Sequence, residues 1–270
     1  MVSGGWRPRP AIRLSFAVHA AALAGLIASP ESWAWALGAV VTNHALLTLA
    51  TLMPRAQILG RSMQRLPPGQ ETGHVALTFD DGPDPEVTPL ILDLLERHGA
   101  RATFFCIGER AARHPALMRE IRARGHVIGN HTMRHRGVFA LLGIAGQREE
   151  LALAAAVLAE TGPVSDLVRA PLGLRSPLSD LVFHRLGLRH VSWARRGFDT
   201  RCGDPARVLA LIQHGLREGD IILLHDGNAA RDTAGRAVSL VVLEALLPWL
   251  AARGLGSVSL TAKQEPGQSP

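Results

Sequence analysis

The sequence predicts an α/β protein, a distorted barrel of about seven strands, preceded by one or two transmembrane helices. Two observations carry this expectation. Two long apolar runs fall within the first 53 residues, and from His74 onward short apolar strands alternate with segments whose apolar residues recur at helical spacing. Alternation of that kind builds a largely parallel sheet with helices packed on it. No GxGxxG follows the first strand, so a barrel fits better than a dinucleotide-binding fold.

Leu14 to Ala28 is uncharged over 15 residues and Trp33 to Met53 over 21. About 20 helical residues cross a hydrocarbon core, so the second run is long enough to span and the first is marginal. Pro30 in the short "SPES" link predicts a hairpin with helices over about 12–28 and 33–53, and Trp33 and Trp35 at one interface. Residues 1–54 are thus expected to anchor the chain in the bilayer of an inner membrane.

Up to residue 66, six Arg (Arg7, Arg9, Arg13, Arg55, Arg61, Arg65) stand against the single acid Glu31, a net +5. The remaining 204 residues carry 23 basic and 22 acidic groups, a net +1. The total of +6 is therefore concentrated beside the hairpin, and a nucleic-acid partner has no support in the body of the chain. Because Arg flanks both outer ends of the hairpin and is missing from its connecting loop, both ends are expected on the cytoplasmic face. If the first helix does not insert, the body lies instead on the periplasmic face. "AWA" at Ala34 to Ala36 also matches a signal-peptide cleavage site, a lower-ranked alternative because it leaves Leu37 to Met53 as an apolar tail. A buried hairpin of a soluble domain is the remaining alternative.

Residues 55–73, with "LPPGQETG", read as a linker. The folded domain is expected over 74–262, followed by a disordered tail over 263–270. Strands are expected at Val75 to Phe79, Ala102 to Cys106, Val127 to Gly129, Leu167 to Arg169, His190 to Trp193, Ile221 to Leu224 and Ser257 to Leu260. Helices are expected at Thr88 to His98, Pro115 to Arg124, Gln147 to Glu160, Ser179 to Leu186, Pro205 to Arg217 and Val238 to Arg253. Two isolated cysteines, Cys106 and Cys202, argue against both a disulfide scaffold and a thiolate zinc site.

In α/β barrels the reacting groups come from the C-terminal ends of strands, and four polar clusters stand there. Asp80 and Asp81 end the first strand, where adjacent carboxylates repel one another unless something separates their roles. "GNHTMRH" supplies His131 and His135, whose i, i+4 spacing places both imidazoles on one side of a helical turn, close enough to share an ion. Alone, such a pair fits surface decoration or helix capping as well. "VRAPLG" supplies Arg169, with Pro171 and Gly173 shaping a tight loop; an isolated Arg there is an exposed ion pair of little energetic weight. In "IILLHDG" a buried strand runs straight into His225 and Asp226.

The ordered set "TFDDGP", "ATFFCIGERAARHP", "GHVIGNHTMRH", "RAPLG" and "LLHDG" resembles the NodB-like polysaccharide deacetylases, carbohydrate esterase family four, over roughly His74 to Leu260. That resemblance implies a divalent metal ion, most simply Zn2+, held by Asp81, His131 and His135. It implies Asp80 as general base, His225 as the acid that protonates the leaving amine, and Arg169 as the residue that pairs with and orients the base. The backbone N–H of Leu172, within the Pro171–Gly173 loop, corresponds to the family's oxyanion donor. Family members commonly carry an aromatic residue where Leu172 stands, and many carry an Asp at the position of Arg196; Asp199 is then the acid expected to tune His225. The implied activity is removal of an N-acetyl or other N-acyl group from an amino-sugar polysaccharide or a lipid-linked saccharide, and the hairpin favours a substrate close to the bilayer. Two alternatives use the same barrel: a catalytically silent carbohydrate-binding or scaffolding protein, motivated by Arg196 and Leu172, and a deformylase of a lipid-linked amino sugar.

Overall fold

The computed structural model describes residues 5–260, so the tail expected over 263–270 lies outside the described residues. Helices α1 (Pro10–Ala28) and α2 (Trp33–Thr51), joined by the short turn Pro30–Ser32, form a hairpin. Proline starts α1 where its missing N–H costs nothing. Both helical segments are long and apolar enough to cross a membrane, and only 6% of each apolar window is buried. Phe16, Ile27, Trp35 and Leu46 face outward, an uncovered apolar surface of the kind that marks a membrane or partner contact.

The sheet consists of β1 (His74–Asp80), β2 (Ala102–Cys106), β3 (Val127–Asn130), β4 (Leu167–Val168), β5 (Arg189–His190), β6 (Arg195–Arg196) and β7 (Ile221–His225), with β8 (Gly256–Ser257) beside the start of β1. The seven run parallel in the order β5-β4-β3-β2-β1-β7-β6 and form a curled half-barrel. Strands β1, β2 and β7 are buried almost throughout, as their unbroken apolar runs require of parallel strands covered on both faces.

Of the single strand expected over His190 to Trp193, only His190 lies in a strand, at the end of β5, and β6 begins two residues beyond Trp193. The carbonyls of Val191 and Ser192 accept from the Arg169 side chain, so they are not available to a neighbouring strand, and the chain crosses here from one edge of the sheet to the other. Residues expected as a linker fill the resulting gap. Met63 N–H donates to His190 O at 2.9 Å, Ser192 N–H donates to Met63 O at 2.7 Å, and Leu66 N–H donates to Gly219 O at 2.7 Å. Leu66 lies in a small core with Ala76, Phe105, Leu167 and Val191. Pro67 and Pro68 carry no N–H, so this segment packs without extending into a ladder.

Helices α3 (Thr88–Arg97), α4 (Gly108–Arg113), α5 (Pro115–Ala123), α6 (Ile144–Ala159), α7 (Ser179–Arg185), α8 (Pro205–Gln213) and α9 (Val238–Ala251) complete the fold. The main core joins helices to sheet through Phe79, Ile91, Leu95, Phe104, Met118 and Leu243. Helix α3 alone buries Ile91, Leu92, Leu94 and Leu95, each side chain contributing roughly 1.5–3 kcal/mol. The hairpin is held against this domain at both ends. Trp6 Nε1 donates to Asp180 Oδ2 at 3.0 Å, Arg175 Nη2 donates to Ala56 O at 2.6 Å, and Ser192 Oγ donates to Pro54 O at 3.1 Å.

Candidate active site

The four sequence clusters converge at the C-terminal ends of β1, β3, β4 and β7, around a cavity of about 310 Å³ lined by Asp80, Asp81, His131, His135, Leu172 and His225, among others. Register brings them together: Asp80 stands opposite His225 across the β1–β7 pair, and Asn130, the residue before His131, stands opposite Val168, the residue before Arg169. Six residues other than glycine have left-handed φ among the described residues: Asp81 (72°), Thr132 (65°), His135 (49°), Leu172 (57°), Phe198 (63°) and Asn228 (58°). Each costs about 1–3 kcal/mol, and every one lines the cavity or lies beside a residue that does. The turns after β1 and β7 each need a glycine, Gly82 and Gly227. A Cβ on Gly82 would lie 2.0 Å from Asp226 Oδ2, and one on Gly227 would lie 2.4 Å from Asp81 O.

His131 and His135 do meet, with ring centroids 4.7 Å apart, but the helical turn expected between them is absent. Thr132 and His135 turn through left-handed conformations, and the loop is pinned by Asn130 Oδ1 accepting from Thr132 N–H and Thr132 Oγ1 accepting from His135 N–H. Arg134, anchored on Glu150 at 2.6 Å, completes the loop's support. The spacing brings the rings together through a loop whose shape no helical periodicity could signal.

His131 Nδ1 lies 2.8 Å from Arg169 O. A carbonyl only accepts, so Nδ1 carries the hydrogen and Nε2 points its lone pair inward in the neutral ring. That Nε2 lies 3.3 Å from Asp81 Oδ1, and His135 Nε2 lies 3.2 Å from the same oxygen. Asp81 Oδ1 is buried with no hydrogen-bond partner, whereas Oδ2 accepts from Asn228 Nδ2 at 3.0 Å. Three ligand-type atoms within 4.8 Å of one another, converging on a buried orphan oxygen, fit a divalent cation held by two imidazoles and a carboxylate. Burial opposes ionisation of Asp81, but His131 and then His135 outweigh it and hold its carboxyl far below the ordinary range. Burial, with His131 next to it, brings His135 down to about 4, so that ring is neutral and ready to ligate.

Asp80 faces the other way. Its Oδ1 accepts from Arg169 Nη1 at 2.5 Å, and Arg169 is fully buried. The guanidinium also donates to Thr78 Oγ1 at 2.9 Å and to the carbonyls of Ser192 and Val191, and it lies 4.2 Å above the Phe105 ring. Burial draws Arg169 down from its ordinary value, and Asp80 opposes that fall. Three further acceptors fix the guanidinium plane and aim one N–H at Asp80 Oδ1, a placement that the single ammonium of a lysine could not reproduce.

His225 Nδ1 lies 2.9 Å from Asp199 Oδ1, and its backbone N–H donates to Asp199 Oδ2 at 2.8 Å. Burial alone would lower His225, but the Asp199 carboxylate, helped by Asp80 and Asp81, raises it to about 9, leaving Nε2 as a protonated donor at neutral pH. Asp199, not the residue at position 196, is the acid beside this imidazole. Leu172 caps the site at 48% exposure, and its N–H makes no backbone hydrogen bond among the described residues, whereas the Gly173 N–H donates to Ala170 O. Sequence reasoning missed Asn228, which steadies Asp81, and Thr78, which supports Arg169. The sole signal for Asn228 was its place three residues after His225.

A buried base-type carboxylate, a protonated imidazole and a trio of metal-type ligands on one half-barrel define a hydrolase site. The profile of the family described as polysaccharide deacetylase matches residues 68–191. A chitooligosaccharide deacetylase of Azorhizobium caulinodans is 38% identical over 199 residues, covering 68% of this chain and 91% of the relative. A peptidoglycan-N-acetylglucosamine deacetylase of Bacillus cereus is 34% identical over 191 residues, covering 69% and 86%. Among solved structures, a family 4 carbohydrate esterase from Streptomyces lividans in complex with acetate superposes with a TM-score of 0.62 at 30% identity, covering 68% of this chain and 91% of that one. A peptidoglycan N-acetylglucosamine deacetylase gives 0.66 at 28% identity, covering 73% and 89%. The chain belongs to the polysaccharide deacetylase family, carbohydrate esterase family four, and is a hydrolase of N-acetyl amide bonds.

Proposed function

We propose that this protein is a membrane-anchored, zinc-dependent deacetylase of an N-acylated amino sugar, acting on glycan or lipid-linked saccharide at the cytoplasmic face of the bilayer. The observation that carries the reading is the division of labour between the adjacent aspartates: Asp81 converges with His131 and His135, while Asp80 pairs with Arg169. Asp81, His131 and His135 would hold the divalent ion, which when bound polarises the acyl carbonyl and acidifies water.

The chain's own residues supply the rest. Asp80, oriented by Arg169, takes a proton from the attacking water. The Leu172 N–H donates to the oxygen that gathers charge as the carbonyl is attacked. His225, kept protonated by Asp199, gives its Nε2 proton to the departing amine nitrogen. Pro171 and Gly173 hold Leu172 in the left-handed conformation that presents its N–H. Both ends of the hairpin meet the domain on one side, and Arg7, Arg9 and Arg55 lie near those ends, which supports the cytoplasmic placement.

Acetate release from N-acetylated chitooligosaccharides and from a lipid-linked amino sugar, with zinc added, tests the reaction. Activity is expected to fall at least 100-fold in Asp80→Asn and in His135→Ala; zinc binding without turnover of any substrate sinks the enzymatic reading. A reporter fused to the C-terminus tests the topology, and a periplasmic signal overturns the cytoplasmic placement.

A further inference from the structure

Arg196 lies near the site in surroundings that differ from those of Arg169 and Arg195. Its guanidinium carbon lies 5.3 Å from the Trp193 ring and 4.7 Å from the Phe198 ring. Its Nε is buried without a hydrogen-bond partner, and the side chain forms no ion pair among the described residues. Arg195, the preceding residue, pairs with Asp220 at 2.8 Å, and Arg169 pairs with Asp80. The acids near Arg196 are already committed, because Asp199 gives both oxygens to His225 and Asp80 gives Oδ1 to Arg169.

Arg196 lines the same cavity as Asp81 and His225, and so does Arg201, which is exposed. Burial and then Arg201 work against the charge on Arg196, while Asp199, Asp80 and Asp81 support it from a distance. Two guanidinium groups on one cavity wall, one of them stacked in place and free of any ion pair among the described residues, offer the planar N–H donors that recognise an oxyanion.

A second observation concerns the cavity wall. A Cβ on Gly173 would lie 2.6 Å from Trp193 and 2.7 Å from the Pro54 side chain. Pro54 lies three residues past the end of α2, so the end of the apolar hairpin lies against the loop that walls the site. A sugar carried by a membrane lipid is joined to it through a phosphate ester, and that phosphate would enter beside the same wall.

We propose that Arg196, with Arg201 beside it, receives a phosphate group carried by the amino-sugar substrate, so that the preferred substrate is a sugar phosphate rather than a neutral oligosaccharide. This rests on the deacetylase reading above and specifies its substrate class. A cationic side chain at position 196 leaves His225 its carboxylate, which comes from Asp199.

The test uses the full-length protein in detergent micelles with zinc and measures acetate release from three probes: N-acetylglucosamine 1-phosphate, the same sugar joined by a phosphodiester to a long-chain isoprenoid alcohol, and neutral N-acetylchitobiose. Wild-type kcat/KM is expected to be at least tenfold higher for the phosphorylated probes, and Arg196→Gln is expected to reduce that ratio to within threefold of unity, with Arg196→Lys between. Better turnover of the lipid-linked probe identifies the bilayer as the source and equal turnover a soluble sugar phosphate; either supports the phosphate site. No preference for phosphate in the wild type, or an equal loss on all three probes in Arg196→Gln, overturns it. If no probe releases acetate, the deacetylase reading fails, and calorimetry on the Asp80→Asn protein still decides the site: N-acetylglucosamine 1-phosphate should bind at least tenfold tighter than N-acetylglucosamine, a difference lost in Asp80→Asn/Arg196→Gln. Equal binding of the two sugars overturns the proposal.

Discussion

Replacing Asp199 by Asn isolates the interaction that makes His225 an acid. Asp199 is fully buried and contacts His225 twice, at 2.9 Å through Nδ1 and at 2.8 Å through the backbone N–H. Burial opposes the imidazolium, and Asp199 first, with Asp80 and Asp81 after it, nevertheless lifts it from 6.5 to about 9. At 1.36 kcal/mol per tenfold change in protonation, that rise is worth roughly 3 kcal/mol in favour of the folded, protonated state. The folded value is the raised one, so the stabilisation is complete below pH 6.5 and disappears as pH climbs through 9. With metal removed by chelation, Asp199→Asn should therefore lose about 3 kcal/mol in urea unfolding at pH 6 and less than about 1 kcal/mol at pH 9.5. Ring-proton NMR should place His225 below 6.5 in the variant, and the alkaline limb of activity should retreat with it. An unmoved His225 titration, or an equal stability loss at both pH values, would falsify the account of Asp199 as the group that keeps the acid charged.

Three further outcomes follow from the same geometry. Zinc at 100 times its Kd should stabilise the wild type by about 2.7 kcal/mol, visible as a rise in Tm, and Asp81→Asn or His131→Ala should abolish that rise. Arg169→Met leaves Asp80 buried without its counter-charge and should cost about 3–5 kcal/mol together with the activity; a denaturant midpoint within error of the wild type would contradict this. Gly82→Ala drives a Cβ to 2.0 Å from Asp226 Oδ2, and the displacement of a buried carboxylate should cost about 1–3 kcal/mol by calorimetry; a variant as stable as the wild type would contradict this.

Strands β1, β2 and β7 could be read from the sequence because each is covered on both faces and so appears as an unbroken apolar run. The acids, imidazoles and Arg169 could be read because barrel strands deliver their reacting groups at one end. What escaped depends on contacts distant in sequence. The early end of the strand expected over His190 to Trp193 follows from Arg169 taking the carbonyls of Val191 and Ser192, 22 and 23 residues away. Residues 63–66 look like a linker because their partners, His190 and Gly219, are far along the chain. Helix α4, "GERAAR", is short and has too few apolar residues to show a period. Asn228 belongs to the site through a left-handed turn, a conformation that Asn tolerates but does not announce.

The order of strands also bears on when the protein becomes competent during synthesis. Asp81, His131 and His135 all lie in the first half of the chain, and the β1–β2–β3 pairings that bring them together are between neighbours in sequence. Asp80 meets His225 only through the β1–β7 pairing, which closes a loop of more than half the chain and belongs to the slow, non-local class of contacts. A growing chain can thus present its three metal-type ligands well before it owns a proton donor. Ribosome-bound or truncated forms ending before β7 should take up zinc yet remain inert, which makes metal content a poor measure of folded enzyme.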